Sequence, residues 1–297
     1  MQTAVKIQNL TKWYGHSRGI ENVSLTINQG EIFGFLGPNG AGKTTAIRLM
    51  LDIIRPTSGK VQIFGMDSRL QSQAIHKRIG YLSGDIEMDT HLTGAQYINY
   101  MSNLRGRVPK KSIQYFVDLL DCDTNKKIRH LSRGNKQKIG LVVALMDDPD
   151  LLVLDEPTSG LDPLIQTQFN KIIRSLAEKG KTIFISSHIL SEVQSTCDQV
   201  GFIKEGSLLN VEPLDNLLKK SFKNIKIVLR QKSDHQYLKK LENIITPKID
   251  GTVFTGKLQG NAESLISVLA QIKPLDILIE EPHLEDLFMH YYQTEQK

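Results

Sequence analysis

The sequence predicts an α/β fold: a large domain of sheet and helices, followed by a second, smaller α/β domain. Three observations carry this. The apolar run Glu31–Leu36 leads straight into Gly37-Pro38-Asn39-Gly40-Ala41-Gly42-Lys43-Thr44, and a helical pattern follows. The apolar runs Leu151–Leu154 and Thr182–Ser186 end beside Asp155-Glu156 and His188, which puts chemistry at the carboxyl edge of a buried sheet, where α/β folds hold ligands. From about Phe222 strand and helix patterns start afresh, so the boundary is expected near Lys219–Ser221, dividing the chain into 1–220 and 221–297.

Taken in order, Ala4–Leu10 and Ile20–Ile27 alternate as half-buried strands, and Gln29-Gly30 reads as a turn. Glu31–Leu36 is almost wholly apolar, as a central strand covered on both faces should be. The helix after the glycine loop is expected over Thr44–Ile54, ended by Pro56, Ser58 and Gly59. Strands follow at Val61–Phe64 and Arg78–Leu82. Thr93–Leu120 has helical spacing with a break near Gly106 and Pro109, and another helix follows Gly134. A helix over Leu164–Glu178 joins the strands Leu151–Leu154 and Thr182–Ser186. In the second domain the pattern predicts strands at Ile225–Leu229, Thr252–Leu258 and Leu275–Ile279. Helices are expected at His235–Ile244, Ala262–Ile272 and Leu284–Tyr292.

At 297 residues, 40% hydrophobic and 23% charged, the composition is that of a globular protein with room for one large and one small domain. No apolar run approaches the ~18–20 residues that cross a bilayer, and the N-terminal residues alternate without a signal-peptide core. A cytosolic chain is therefore expected, docking on other molecules rather than inserting. A net charge of +5 suits nucleotide, nucleic acid or an anionic surface equally. Cys122 and Cys197, the only cysteines, have no metal-binding spacing and read as two free thiols.

The Gly37–Thr44 segment matches G-x-x-x-x-G-K-[ST] with a strand before it and a helix after. Its glycines bring backbone N–H groups onto phosphates, Lys43 supplies a point charge for the β- and γ-phosphates, and the Thr44 hydroxyl suits Mg²⁺. Asp155 at the strand end would hold Mg²⁺ directly or through water, and Glu156 is placed to polarise an attacking water as general base. His188, on the same sheet edge, reads as a γ-phosphate contact. Tyr14 or Trp13, in a polar turn, offers an aromatic face for adenine. Asp162 precedes Pro163 and reads as a helix cap, compatible with a contact to another chain. Ser132 and Gly134 open a helix, where free N–H groups and the dipole attract an anion. Because the glycine loop already serves the chain's own nucleotide, this second anion site points to a nucleotide held by another subunit.

Together these residues resemble the ATP-binding subunit of an ABC transporter, over roughly residues 3–215. The matching segments are the phosphate loop Gly37–Thr45, the signature Leu131–Asn135, the strand Leu151–Glu156, the loop Ser159–Asp162 and the switch Ser187-His188. The resemblance implies a mixed sheet with a helical subdomain at about residues 88–145. It also implies ATP with Mg²⁺ as ligands, Tyr14 as the adenine-stacking aromatic, and a head-to-tail dimer in which Ser132 and Gly134 act on the partner's ATP. Ser132, Arg133, Gly134 and Asp162 would then lie at the dimer interface. A polytopic membrane permease is the implied partner, at the cytoplasmic face of the membrane, with a homodimer as the simpler pairing and no nucleic acid. Two departures stand out. Arg133 and Asn135 replace the usual Gly and Gln of a Leu-Ser-Gly-Gly-Gln signature, and Gly84 stands where a glutamine is usual, leaving Asp85 as a candidate metal-binding substitute.

The C-terminal region, ending in Glu281–Phe288, resembles accessory domains of exporter ATPases whose membrane subunits are separate polypeptides. Export of a drug, antimicrobial peptide, lipid or ion is the implied activity, with import as the rival. Two further readings are disfavoured. An ABC ATPase of nucleic acid or the ribosome generally carries two cassettes, coiled-coil insertions or zinc-binding cysteines. A GTPase or small-molecule kinase using the same loop has no need of the 131–135 segment, and the Asn-Lys-x-Asp guanine-reading segment of a GTPase is missing here.

Overall fold

The computed structural model describes residues 2–106, 108–220 and 222–280. The chain forms two compact units, Met1–Glu212 and Pro213–Lys297. The division falls one short helix before the boundary expected at residues 220–221. Pro213 ends the preceding strand and has no N–H with which to extend a ladder.

In the first unit, strands β1 (Thr3–Tyr14), β2 (Ser17–Asn28), β3 (Ile32–Leu36), helix α1 (Lys43–Met50), β4 (Ser58–Ile63) and β5 (Met66–Asp67) come first. The first two strands run several residues longer than their apolar alternation indicated, because bulges at Ile7/Leu10 and Lys12/Trp13 carry the pairing past the break in pattern. Helix α1 stops short of Ile54: Asp52 takes a left-handed φ of +55°, which no helix interior accommodates. Strands β1, β2, β4 and β5 make an antiparallel sheet in the order β2-β1-β4-β5.

Next come α2 (Ser72–His76), β6 (Ile79–Leu82), α3 (Gly94–Leu104), α4 (Lys110–Leu119), α5 (Arg133–Leu145), β7 (Leu151–Asp155), α6 (Pro163–Glu178), β8 (Thr182–Ser187), α7 (Leu190–Thr196), β9 (Gln199–Lys204) and β10 (Ser207–Pro213). A six-stranded sheet has the order β10-β9-β3-β8-β7-β6, with parallel pairing from β9 through to β6. All five residues of β3 and of β7, and all six of β8, are buried, which explains their unbroken apolar patterns. The core fills the space between the two sheets, with Phe33, Phe35, Phe184, Leu151 and Val153 meeting Leu10, Ile20, Ile47 and Ile63. On the other face, α7 lies so close to β3 that a Cβ at Gly34 would sit 2.7 Å from Val193 Cγ1.

Helices α3, α4 and α5 pack together, and α5 docks on β6. The break near Gly106 is real: its φ is +94°, and Pro109 opens α4. A capping box starts α3, with Thr93 Oγ1 accepting from Gln96 N (3.2 Å) and Gln96 Oε1 accepting from Thr93 N (2.9 Å).

The second unit contains α8 (Leu214–Lys220), β11 (Phe222–Val228), α9 (His235–Lys239), β12 (Ile244–Asp250), β13 (Val253–Gln259), α10 (Glu263–Ile272) and β14 (Asp276–Glu280). Its antiparallel sheet has the order β12-β13-β11-β14. Ile225, Ile227, Leu238, Phe254, Leu258, Leu265 and Leu269 form its own core. The helix expected over His235–Ile244 ends at Lys239, and Ile244 begins an unexpected edge strand. Pro247 hides that strand from a sequence reading, and a register shift between Ile245 and Lys248 accommodates it. The helix expected at Leu284–Tyr292 lies outside the described residues.

Candidate functional site

The glycine loop hangs from β3, whose two phenylalanines are fully buried, each worth roughly 1.5–3 kcal/mol of anchoring. Gly37 N donates to Ser187 O at 3.1 Å, tying the start of the loop to the end of β8. Gly42 takes a φ of +105°, and a Cβ there would lie 2.7 Å from Ile20 Cγ2; only glycine fits. The loop thereby turns its N–H groups toward a cavity of about 450 Å³ at the carboxyl edge of the parallel sheet.

Lys43 is 6% exposed. Its Nζ donates to Gly37 O (2.7 Å) and Pro38 O (3.2 Å), and lies 3.2 Å from Glu156 Oε1. The other oxygen of that carboxylate, Oε2, is 2.8 Å from His188 Nδ1. An ionised carboxylate only accepts, so Nδ1 carries the proton. Glu156 thus stands between a cation and an imidazole. Its own backbone is left-handed, with φ of +51°, uncommon outside glycine. Ser186 holds it there: Glu156 N donates to Ser186 O (3.2 Å) and Ser186 Oγ (3.1 Å).

Asp155 is 1% exposed. Thr44 Oγ1 donates to its Oδ2 at 2.7 Å, and Ser186 Oγ donates to Oδ1. A hydroxyl and a carboxylate already in contact beside a phosphate-binding loop are hard oxygen donors of the kind Mg²⁺ takes together with phosphate oxygens, so the residues fit that ion. Beneath Asp155, burial and the aspartate's negative charge push the Tyr81 hydroxyl above its ordinary value.

The cavity wall also carries Asn39, Gly40, Thr45 and Tyr14 from the expected set. Tyr14 rather than Trp13 faces it, and its ring rests against Gly19, where a Cβ would be 2.9 Å from Tyr14 Cε2. Gly84 and Asp85 line the wall together. At Gly84 a Cβ would lie 3.1 Å from Asp155 Oδ2, so the position normally held by glutamine abuts the aspartate here.

Ser132, Gly134 and Asp162 are not on this wall. Ser132 caps α5, its Oγ accepting from Asn135 N at 3.2 Å, which leaves the hydroxyl proton free to donate. The Asn135 side chain both accepts from Asp123 N (2.8 Å) and donates to Asp123 O (2.6 Å); this is what the departure at the fifth signature position does. Asp162 caps α6, accepting from Leu164 N (3.1 Å) and Ile165 N (3.0 Å) ahead of Pro163.

Sequence reasoning missed several residues. Ser186 reads as the end of an apolar strand, yet it anchors both acids. Gln137, 3% exposed, donates from Nε2 to Glu156 O (3.1 Å) and Pro157 O (2.9 Å). Glu192 on α7 accepts from Thr158 Oγ1 (2.5 Å) and Ser187 Oγ (2.6 Å), joining the loops that carry Glu156 and His188. Arg18 lines the cavity as well. No local sequence signal marks them, because their contacts join different elements of the fold. Both cysteines are free, as their spacing indicated. Among the described residues no helix is long and apolar enough to cross a membrane.

Residues 20–159 match the family model described as ABC transporter. The chain is 36% identical to the bacitracin transport ATP-binding protein BcrA of Bacillus licheniformis, over 97% of both chains. Among solved structures, an ATP-binding subunit of an ABC transporter superposes with a TM-score of 0.66 at 25% identity, covering 72% of this chain and 92% of that one. A dimeric bacterial ABC transporter cassette shares the fold, with a TM-score of 0.66 at 23% identity over 71% and 98% of the two chains. A nucleotide cavity built on the glycine loop, a whole-length relative and this shared fold converge: the chain belongs to the ABC transporter family, as an ATP-binding and ATP-hydrolysing subunit.

Proposed function

We propose that this subunit hydrolyses ATP in a head-to-tail pair of identical chains and thereby powers export through a separate membrane permease, at the cytoplasmic face of the membrane. The observation that carries the reading is the Lys43–Glu156–His188 arrangement on one cavity, at 3.2 and 2.8 Å. In it Tyr14 stacks on adenine, the Gly37–Thr45 loop wraps the phosphates, and Lys43 holds the β- and γ-phosphates. Thr44 and Asp155 would hold Mg²⁺, which would neutralise phosphate charge, and Asp85 lines the same wall. Glu156 takes a proton from water as the water oxygen bonds to the γ-phosphorus and the bond to ADP breaks. His188 orients the carboxylate through its bond to Oε2; a direct contact with the γ-phosphate is the rival role.

Ser132 and Gly134 serve the partner's ATP. Support for this comes from their place at the start of a 13-residue helix whose first turn holds no acid, away from the chain's own cavity wall. Asp162 sits in the loop that would meet the second chain. For cargo, similarity to the bacitracin transport protein of Bacillus licheniformis favours bacitracin or, within the export reading, an antimicrobial peptide.

The test is Glu156→Gln in the purified chain. Turnover is expected to fall roughly 10²–10⁴-fold, and the variant should form a dimer with ATP on size exclusion. Undiminished ATPase would remove Glu156 from the role of base. Co-purification with a polytopic membrane protein tests the transport assignment separately.

A further inference from the structure

Arg133 occupies the first helical position of α5, where the helix dipole disfavours a cation. Its side chain is nonetheless held. Nη2 donates to Ser159 Oγ at 2.9 Å, and its Cγ and Cδ lie 3.5 and 3.6 Å from the Cβ position of Gly160. One residue on, a Cβ at Gly134 would fall 2.5 Å from Gly160 O, so the helix and the loop touch backbone to backbone. One turn on, Gln137 Nε2 bonds the carbonyls of Glu156 and Pro157. Residues 133 and 137 share a helix face, and along it α5 clasps the whole 156–160 loop. Arg133 and Ser159 both line the cavity that holds Lys43, Glu156 and His188. The turn that carries Ser132 and Gly134 is thus connected to its own chain's cavity through Arg133.

We propose that Arg133 is a positioning residue. It keeps Ser159 and the loop behind Glu156 in register with α5, so the base of one ATP site and the anion-binding turn offered to the other move as one body. The inference rests on the paired-chain reading above. A glycine at this position, as in the usual signature, has no side chain to make the link, whereas the planar guanidinium has donors to spare after bonding Ser159.

The test is steady-state ATPase against ATP concentration for Arg133→Ala, Arg133→Lys, Ser159→Ala and the Ala/Ala double variant, with thermal midpoints. Arg133→Ala and Ser159→Ala should each lower kcat roughly 3- to 10-fold, the partly exposed share of a charge-assisted hydrogen bond. KM should stay within about twofold, and the double variant should be no slower than the slower single, since both remove one shared interaction. Arg133→Lys should fall between, because an ammonium reaches without the fork. Additive losses would overturn the proposal, as would wild-type kinetics. An effect confined to KM would overturn it by placing the guanidinium on the nucleotide, and a lowered midpoint by making the role structural. The Glu156→Gln chain is the control. If it shows no ATP-dependent dimer, the paired-chain reading fails; if it dimerises while the Arg133 and Ser159 losses add, only the present inference is overturned.

Discussion

His188 Nδ1 bonds Glu156 Oε2 at 2.8 Å, while Glu156 presents that carboxylate from a left-handed backbone. Two unusual features meet in one contact: a strained peptide, and an imidazole whose tautomer is set by the acid it touches. Strain of this kind persists where surrounding structure over-determines it, and here Ser186 and Gln137 do so through the peptide N–H and carbonyl.

His188→Ala is expected to lower kcat roughly 10²–10⁴-fold with little change in KM, because Lys43 and the loop still hold the phosphates. Since His188 acts through Glu156, the Glu156→Gln/His188→Ala double variant should be no slower than the slower single. Initial-rate ATPase on the three proteins measures this. Multiplying losses would mean the histidine has an independent role on the phosphate.

Gly84→Ala places a Cβ 3.1 Å from Asp155 Oδ2 and 3.3 Å from its Cγ. The carboxylate cannot yield freely, since Thr44 and Ser186 both donate to it. A displacement of a few tenths of an ångström costs about 1 kcal/mol at the low end of overpacking, roughly a fivefold rise in the Mg²⁺ giving half-maximal ATPase. Binding of a fluorescent ATP analogue without Mg²⁺ should be unchanged. An unaltered Mg²⁺ requirement would remove Asp155 from the metal site.

The contrast between Gly84 and Ser186 shows what the sequence could reveal. The β3–loop–α1 unit was legible because local pattern and chemistry coincide over contiguous residues: a buried apolar run, glycines, then Lys43 and Thr44. Asp155, Glu156 and His188 were legible as polar residues ending apolar strands. Ser186, Gln137 and Glu192 were not, because the residues of the 155–158 segment that each holds lie 19 to 34 positions away, and only the folded sheet brings them together. The same holds for β12, where Pro247 argues locally against a strand that pairing with β13 nevertheless forms. Gly84 was noticed as a departure, but its abutment on Asp155 has no sequence signature.

Burial pushes the Cys122 thiol from its ordinary 9.0 up to about 12. Above pH 9 the unfolded thiol ionises while the folded one keeps its proton. The folded state then binds more protons, and stability falls as pH rises from about 9 to 12. Cys122→Ser should therefore flatten the decline of unfolding free energy over that window by up to about 1 kcal/mol per pH unit. Urea melts of both proteins at pH 8, 9.5 and 10.5 measure this. Burial raises the Cys197 thiol in the same direction, but it is present in both proteins and cancels. Equal slopes would show that Cys122 is solvated in solution.

Asp162 tests whether one side chain both caps a helix and meets a second chain. Its carboxylate accepts from Leu164 N and Ile165 N at the start of the 16-residue helix α6. Asp162→Ala removes the Oδ1 that accepts both bonds and should cost about 0.5–2 kcal/mol, lowering the thermal midpoint of a unit this size by roughly 2–4 °C per kcal/mol. Asp162→Asn still caps, so its midpoint should stay near that of the parent chain, yet it removes the charge. In a Glu156→Gln background, the interface role predicts that both variants raise the ATP concentration needed for dimerisation. A cap acting alone predicts that only the alanine does, and then only through the lowered midpoint. The Asn variant separates the two because it changes the charge shown to a partner while leaving the helix start intact.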